Sequence, residues 1–269
     1  MSRPQGSISL TPRPIATVKN NTLYIDGGLE TYVDFVNGTQ LTGNITLGYS
    51  ECFIGLAARL DKVLNSLDNY LIEIDLSGSW DWTTNLSEKY LDKIGNPNTA
   101  SSPVLVRGAL YQGPVQDDHI YLYGGTTSWW NTSSPGFEPP TSAQYSLWSY
   151  DTALAKWNQS DISSASPSRP NGGALAEAPE LGLAFYFNGQ IDNGSSTETQ
   201  DLGVGVQIFL DDMIVINMTD RTARNLSTLA VTEGQPTILG GLQYVSGIGE
   251  KGILIHLGGL DKDGKFVSL

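Results

Sequence analysis

The sequence predicts an all-β chain assembled from repeated short antiparallel strands, and three observations carry that expectation. Glycine and proline are abundant, 30 and 13 in 269 residues, while charged side chains make up only 16%. Such a composition favours strands joined by turns over helices. Alternating apolar segments recur along the chain and end on turn residues, as buried or half-buried strands do. Four of these segments run into a glycine pair or its equivalent, and each is preceded by another short strand candidate.

The elements follow in order. A first unit, approximately 11–84, places strand candidates at 14–18 and 23–26, the second ending in Gly27-Gly28. A third strand at 71–75 follows a long interval, and a fourth segment carries Trp80 or Trp82 as its large apolar residue. The second unit, 104–160, repeats the order: 108–111, then 120–123 into Gly124-Gly125, then 147–151 closing on Tyr150-Asp151, then Trp157. The third, 170–228, has 173–176, 183–187 into Asn188-Gly189, and 213–217, with Leu226 where an aromatic is expected. The fourth, 236–269, has 242–245 and 253–257 into Gly258-Gly259, and the sequence stops before a third strand. Spacing between units is unequal, so a fixed unit carries loop insertions.

Four short antiparallel strands per unit, at about 50 residues plus insertions, are the signature of a β-propeller blade. Glycine pairs supply the positive φ angles of tight turns. Alternating apolar positions bury both faces of a blade, and Tyr and Trp fill the wedge between diverging blades. The sequence therefore predicts about three and a half four-stranded blades in one domain, 1–269. A closed ring needs at least four, so the expectation is a truncated, incomplete propeller whose last strand is left as an open edge.

The order apolar strand, Gly-Gly, variable loop, Tyr150-Asp151, five residues, Trp157 resembles the kelch repeat, with residues 107–157 the best match. Gly27, Gly28, Gly124, Gly125, Tyr150, Asp151, Trp157, Gly189, Gly258 and Gly259 are the repeat-structural positions. More narrowly, 123–132 and 182–189 are similar to fungal extracellular kelch proteins. That resemblance implies a surface-exposed or wall-associated protein and carries no assigned activity.

One stretch breaks the pattern. Residues 29–69 read as an irregular insertion, and within it apolar residues at 53, 56, 57, 60, 63 and 64 follow helical spacing. A short amphipathic helix on the blade, a membrane- or partner-binding insertion and a wrongly retained intervening sequence are the readings open for it.

Charge and cysteine content exclude whole classes. With 28 acidic against 15 basic side chains the net charge is −13, and no basic cluster offsets it, so nucleic acid is not an expected partner. One cysteine forms no internal disulfide, and with two histidines it supplies no ordinary structural zinc site. No metal or cofactor is expected. No window approaches the roughly 18 apolar residues of a membrane-spanning helix.

Asn-x-Ser/Thr occurs nine times, at Asn20, Asn37, Asn44, Asn85, Asn131, Asn158, Asn193, Asn217 and Asn225, where 16 Asn among 48 Ser and Thr give about three by chance. The excess predicts an extracellular or cell-surface glycoprotein, its secretion signal lying outside this sequence.

Several motifs bear on possible chemistry. Residues 247–252 fit G-x-G-x-x-G, but a strand rather than a helix follows, so a hairpin turn is expected. Asp261-Lys262-Asp263-Gly264 lacks the remaining ligands of a calcium loop and also reads as a turn. Asp117-Asp118-His119 and Asp211-Asp212 read as solvated strand entries. The kelch superfamily includes copper-radical oxidases such as galactose oxidase, with two His, two Tyr and a Tyr-linked Cys. Here Cys52, His119 and His256 are the right types in the wrong places. The positive signal is aromatic: Trp129 and Trp130 follow the glycine pair, with Phe137 further along the same loop. They make a platform for sugar rings or a protein anchor, or else cap the core between blades.

The expectation is a non-catalytic extracellular kelch-repeat binding or scaffold protein for protein or glycan partners, engaged through propeller loops. A metal-dependent oxidase or lyase of the same superfamily is the alternative.

Overall fold

The computed structural model describes residues 7–10, 15–26, 30–33, 35–36, 39–40, 46–48, 70–79, 88–93, 102–103, 105–126, 147–162, 169–195, 199–203 and 206–267. These form an all-β structure in which the one helical element among the described residues is a 3₁₀ turn at Pro179–Leu181. Three sheets each hold four antiparallel strands in sequence order. The first comprises β1 (Ile15–Lys19), β2 (Thr22–Asp26), β3 (Tyr70–Asp75) and β4 (Glu88–Asp92). The second comprises β5 (Ala109–Tyr111), β6 (His119–Tyr123), β7 (Leu147–Asp151) and β8 (Lys156–Ser160). The third comprises β9 (Ala174–Ala178), β10 (Leu183–Phe187), β11 (Asp212–Asn217) and β12 (Thr222–Ser227). A fourth sheet is the hairpin β13 (Gly241–Val245) and β14 (Ile253–Leu257). The first strands β1, β5, β9 and β13 lie side by side in that order, the blade-like arrangement of a propeller-like fold.

Alternation along the strands explains the stacking. From β6, Ile120 and Leu122 enter the core shared with the first sheet, beside Tyr24, Leu71, Tyr150 and Trp157. The intervening Tyr121 and Tyr123 enter the core shared with the third sheet, beside Tyr186, Ile214 and Ile216. Phe185 faces the other way again, stacking on Tyr244 of the fourth sheet with ring centroids 6.2 Å apart. The second and third sheets are thus packed on both faces, whereas the first exposes Val18 and the fourth exposes Ile253, Ile255 and Leu257; each large apolar side chain that is buried contributes on the order of 1.5–3 kcal/mol.

The recurring turn residues have defined tasks. Where strand three turns into strand four, Asp75 accepts from Ser77 N at 2.8 Å, Asp151 from Ala153 N and Leu154 N at 2.9 and 2.8 Å, and Asn217 from Thr219 N at 3.0 Å. At the opposite rim, Gly124-Gly125, Asn188-Gly189 and Gly258-Gly259 all take positive φ. There the sheets are stitched together: Gly125 N donates to Pro170 O at 2.7 Å and Gly189 N to Thr237 O at 3.2 Å. A Cβ on Gly124 would stand 2.3 Å from Pro170 O, so close approach to the next sheet, as well as φ, demands glycine. A second stitch was invisible in the sequence. Arg107, Gly172 and Leu239 each sit two residues before a first strand with φ of 58°, 69° and 61°. Gly172 N donates to Arg107 O at 2.9 Å and Leu239 N to Gly172 O at 2.7 Å.

Two expectations are revised. The first unit does not end near 84: its fourth strand is Glu88–Asp92, and the residue facing Ile74 there is Glu88 where the second sheet sets Trp157 opposite Tyr150. Lys89 pairs with Glu73 at 2.9 Å across that edge. The insertion at 29–69 is also not wholly irregular, because Ser7–Leu10, Glu30–Val33 and Thr46–Gly48 form a three-stranded sheet and Phe35–Val36 pairs with Thr39–Gln40. Thr31, Tyr32 and Val33 are β-branched or aromatic residues of the kind that favour a strand. The helical spacing at 53–64 lies outside the described residues, as do Gly27, Gly28, Trp80 and Trp82.

Candidate functional site

The loop 112–118 between β5 and β6 crosses the end of the third sheet and is held from both sides. Lys19 Nζ, at the end of β1, donates to Gln112 O at 2.6 Å and to Pro114 O at 3.3 Å. From β9, the Glu177 carboxylate accepts Gln112 N at 3.2 Å and Gly113 N at 3.3 Å. Burial pushes the Glu177 carboxyl up to about 7, against the opposing pull of those two amides and Lys19. Gly113 has φ +78°, and a Cβ there would lie 2.6 Å from the Tyr121 ring, which the loop covers.

Beyond the loop opens a cleft of about 740 Å³ between the second and third sheets. Pro114, Val115, Pro179, Leu181 and Met218 form its apolar walls, and Arg221 stands at its edge. Its polar centre is Asp117. Oδ1 accepts His119 N at 3.0 Å and lies 2.5 Å from His119 Nδ1, while Oδ2 accepts the Tyr121 hydroxyl. Burial acts to raise the Asp117 carboxyl, but hydrogen bonds from Tyr121 and His119 outweigh it and hold it below its ordinary value. Burial, reinforced by Asp117, raises the Tyr121 hydroxyl. Asp117 orients His119 through Nδ1, while Nε2 stands 3.8 Å from Asp151 Oδ2. Arg221 adds a guanidinium at an αL turn position, φ 55°. The cleft offers one ring nitrogen, one cation and apolar walls in a frame whose carboxylate is already engaged.

The structure separates most residues singled out in the sequence. His119 opens β6 at this rim, whereas His256 lies next to Leu257 at the other end of its strand, stacked on Phe187 with centroids 4.6 Å apart. Asp211 and Asp212 also sit at that opposite rim, where Asp212 accepts Asn225 Nδ2 at 2.6 Å. Among the described residues no group of three His, Cys, Asp or Glu side chains is placed to hold a metal ion, and no helix is long and apolar enough to cross a membrane. Residues 247–252 form the β13–β14 turn, and Asp261 caps the 261–264 turn by accepting Asp263 N and Lys265 N, both at 2.9 Å. Trp157 is buried against Tyr150, ring centroids 5.1 Å apart. Trp129, Trp130, Phe137 and Cys52 lie outside the described residues.

The sequons divide by exposure. Asn20, Asn158 and Asn225 are exposed and Asn217 is half-buried. Asn193 is 2% exposed, wedged beside Asp192 and Ser195, and this position has no room for a glycan. Asn37, Asn44, Asn85 and Asn131 fall outside the described residues.

The sequence reading passed over Lys19, Glu177 and Arg221. One signal was available: Asp117, His119 and Tyr121 alternate, and a strand projects alternate residues to one face.

No family model and no curated protein matches the chain. Among solved structures it is similar to that of YjhT, with 14% identity, 95% of this chain and 79% of that chain covered, and a TM-score of 0.48, a likeness too loose to add to the topology above.

Proposed function

We propose that this protein is a kelch-type β-propeller that works as a non-catalytic extracellular binding or scaffold module, and that the cleft between its second and third sheets receives a hydroxyl-rich partner such as a glycan or a polar protein loop. The observation that carries the reading is the engagement of Asp117. Three donors from His119 and Tyr121 engage both oxygens of its carboxylate, so the cleft holds a rigid hydrogen-bonding frame in which Asp117 is not free to act as a nucleophile. Apolar walls beside a few fixed polar groups are the usual make-up of a ligand site. Exposed sequons at Asn20, Asn158 and Asn225 support a secreted glycoprotein. The aromatic loop with Trp129, Trp130 and Phe137 is a second contact region in the same proposal.

A glycan array probed with the purified protein tests it. Saturable binding is expected, falling about tenfold or more in His119→Ala/Arg221→Ala, a loss of about 1.4 kcal/mol or more. Unchanged binding in that variant removes the cleft from the account. A blank array together with substrate turnover by metal-loaded protein replaces the reading with the oxidase or lyase alternative.

A further inference from the structure

Arg169, in the connection between β8 and β9 at the rim opposite the cleft, is 2% exposed. Its Nε donates to Ser195 O at 3.2 Å, but Nη1 and Nη2 have no partner. A buried guanidinium normally faces a carboxylate, since removing it from water uncompensated is expensive. The buried carboxylate of this cluster, Asp192, is occupied by neutral donors instead. It accepts Thr126 Oγ1 at 2.7 Å, Gly194 N at 3.0 Å, Ser195 Oγ at 3.3 Å and Asn171 Nδ2 at 3.1 Å. Burial pulls the guanidinium down to about 9.

Two acceptors of the same cluster are also unsatisfied. Gln190 Oε1 and Asn193 Oδ1 are buried without donors, although Gln190 Nε2 reaches Asn171 Oδ1 at 3.3 Å. Two unpartnered NH2 groups on a planar fork, in the same hydrogen-bonded cluster as two carbonyl oxygens without donors, match one kind of molecule. We propose that Arg169, Gln190 and Asn193 form a binding site for a small hydroxy-carboxylate of the sugar-acid class, its carboxylate bidentate on the Arg169 fork and its hydroxyls donating to Gln190 Oε1 and Asn193 Oδ1. This site is separate from the cleft and does not depend on it. Because the cluster is buried, the rim must open locally to admit the ligand, so association is slow compared with that at a preformed cleft.

The proposal separates itself from a structural role by the sign of one substitution. A structurally paired arginine is destabilising to remove, whereas an unpaired one kept for a ligand is replaced by an apolar side chain at little cost. Thermal unfolding is measured for wild type and Arg169→Met with glucuronate, acetate or glucose at matched ionic strength. Wild type should rise in Tm saturably with glucuronate, less with acetate and not with glucose. Arg169→Met should match or exceed the wild-type Tm without additive and lose the glucuronate response. Saturation-transfer NMR on wild type with glucuronate gives the same answer without a variant, and Arg169→Lys, which keeps charge but not the fork, should bind at least about tenfold more weakly. Absence of any glucuronate response in wild type, an undiminished response in Arg169→Met, or a Tm drop of several degrees in that variant overturns the proposal.

Discussion

Glu177 ties the cleft loop to the third sheet, and its ionisation should make the fold pH-dependent in a direction opposite to that of most carboxylates. Its carboxyl stands at about 7 in the folded protein against 4.5 when unperturbed, chiefly because it is buried. A carboxyl raised on folding stabilises the protein most when protonated. That stability is fully present below about pH 4.5 and is lost as pH rises through about 7. At roughly 1.4 kcal/mol per pH unit, the swing attributable to Glu177 is about 3 kcal/mol. The test is urea unfolding at half-unit steps from pH 4.5 to 8 for wild type and Glu177→Gln. Glutamine keeps an acceptor for one of the Gln112 and Gly113 amides while removing the titration. The difference in stability between the two proteins should move by about 3 kcal/mol in favour of the variant across that range. Parallel profiles would refute the reasoning, and with it the claim that burial of Glu177 dominates over Lys19 and the loop amides.

Other consequences follow from single contacts. Gly124→Ala should cost about 2–4 kcal/mol in chemical denaturation, because the new methyl meets Pro170 O at 2.3 Å with φ at +66°. The control is Gly234→Ala, where φ is +75° but nothing lies within 4 Å, and about 1 kcal/mol is expected. Trp157→Ala removes the side chain packed on Tyr150 and lying under Lys93 Nζ, 5.9 Å from the ring centroid, and should cost about 3–5 kcal/mol. When the chain is produced in a glycosylating secretory host, mass spectrometry after enzymatic deglycosylation should find modified Asn20, Asn158 and Asn225. Asn193, at 2% exposure, should be unmodified in the folded fraction, and a glycan found there would contradict its placement.

Strand positions in the second, third and fourth units were legible because local rules and tertiary role agree. Alternation marked β5 to β8, and the residue ending strand three was polar in each sheet because the turn needs a side-chain acceptor at Asp75, Asp151 and Asn217. The first unit misled where those rules part. Trp80 and Trp82 drew the fourth strand too early, whereas the edge strand that forms, Glu88–Asp92, is held by pairing to β3 and by Lys89 on Glu73 rather than by a tryptophan. The Arg107, Gly172 and Leu239 stitch shares a backbone angle and a hydrogen bond but no side-chain chemistry, so no residue pattern announces it.

By itself, then, the sequence determined an all-β chain, the strand order within each repeat and the glycines at one rim, since these follow from period-two burial and positive φ, both properties of neighbouring residues. Only the tertiary structure decided which polar residues share a site. Lys19, Gln112 and Glu177 come from three different units, and Arg169 from a different connection than the one that carries both Gln190 and Asn193. Their meeting depends on how sheets stack across the chain, and whether a charge ends buried without a partner, as at Arg169, is settled by that stacking alone.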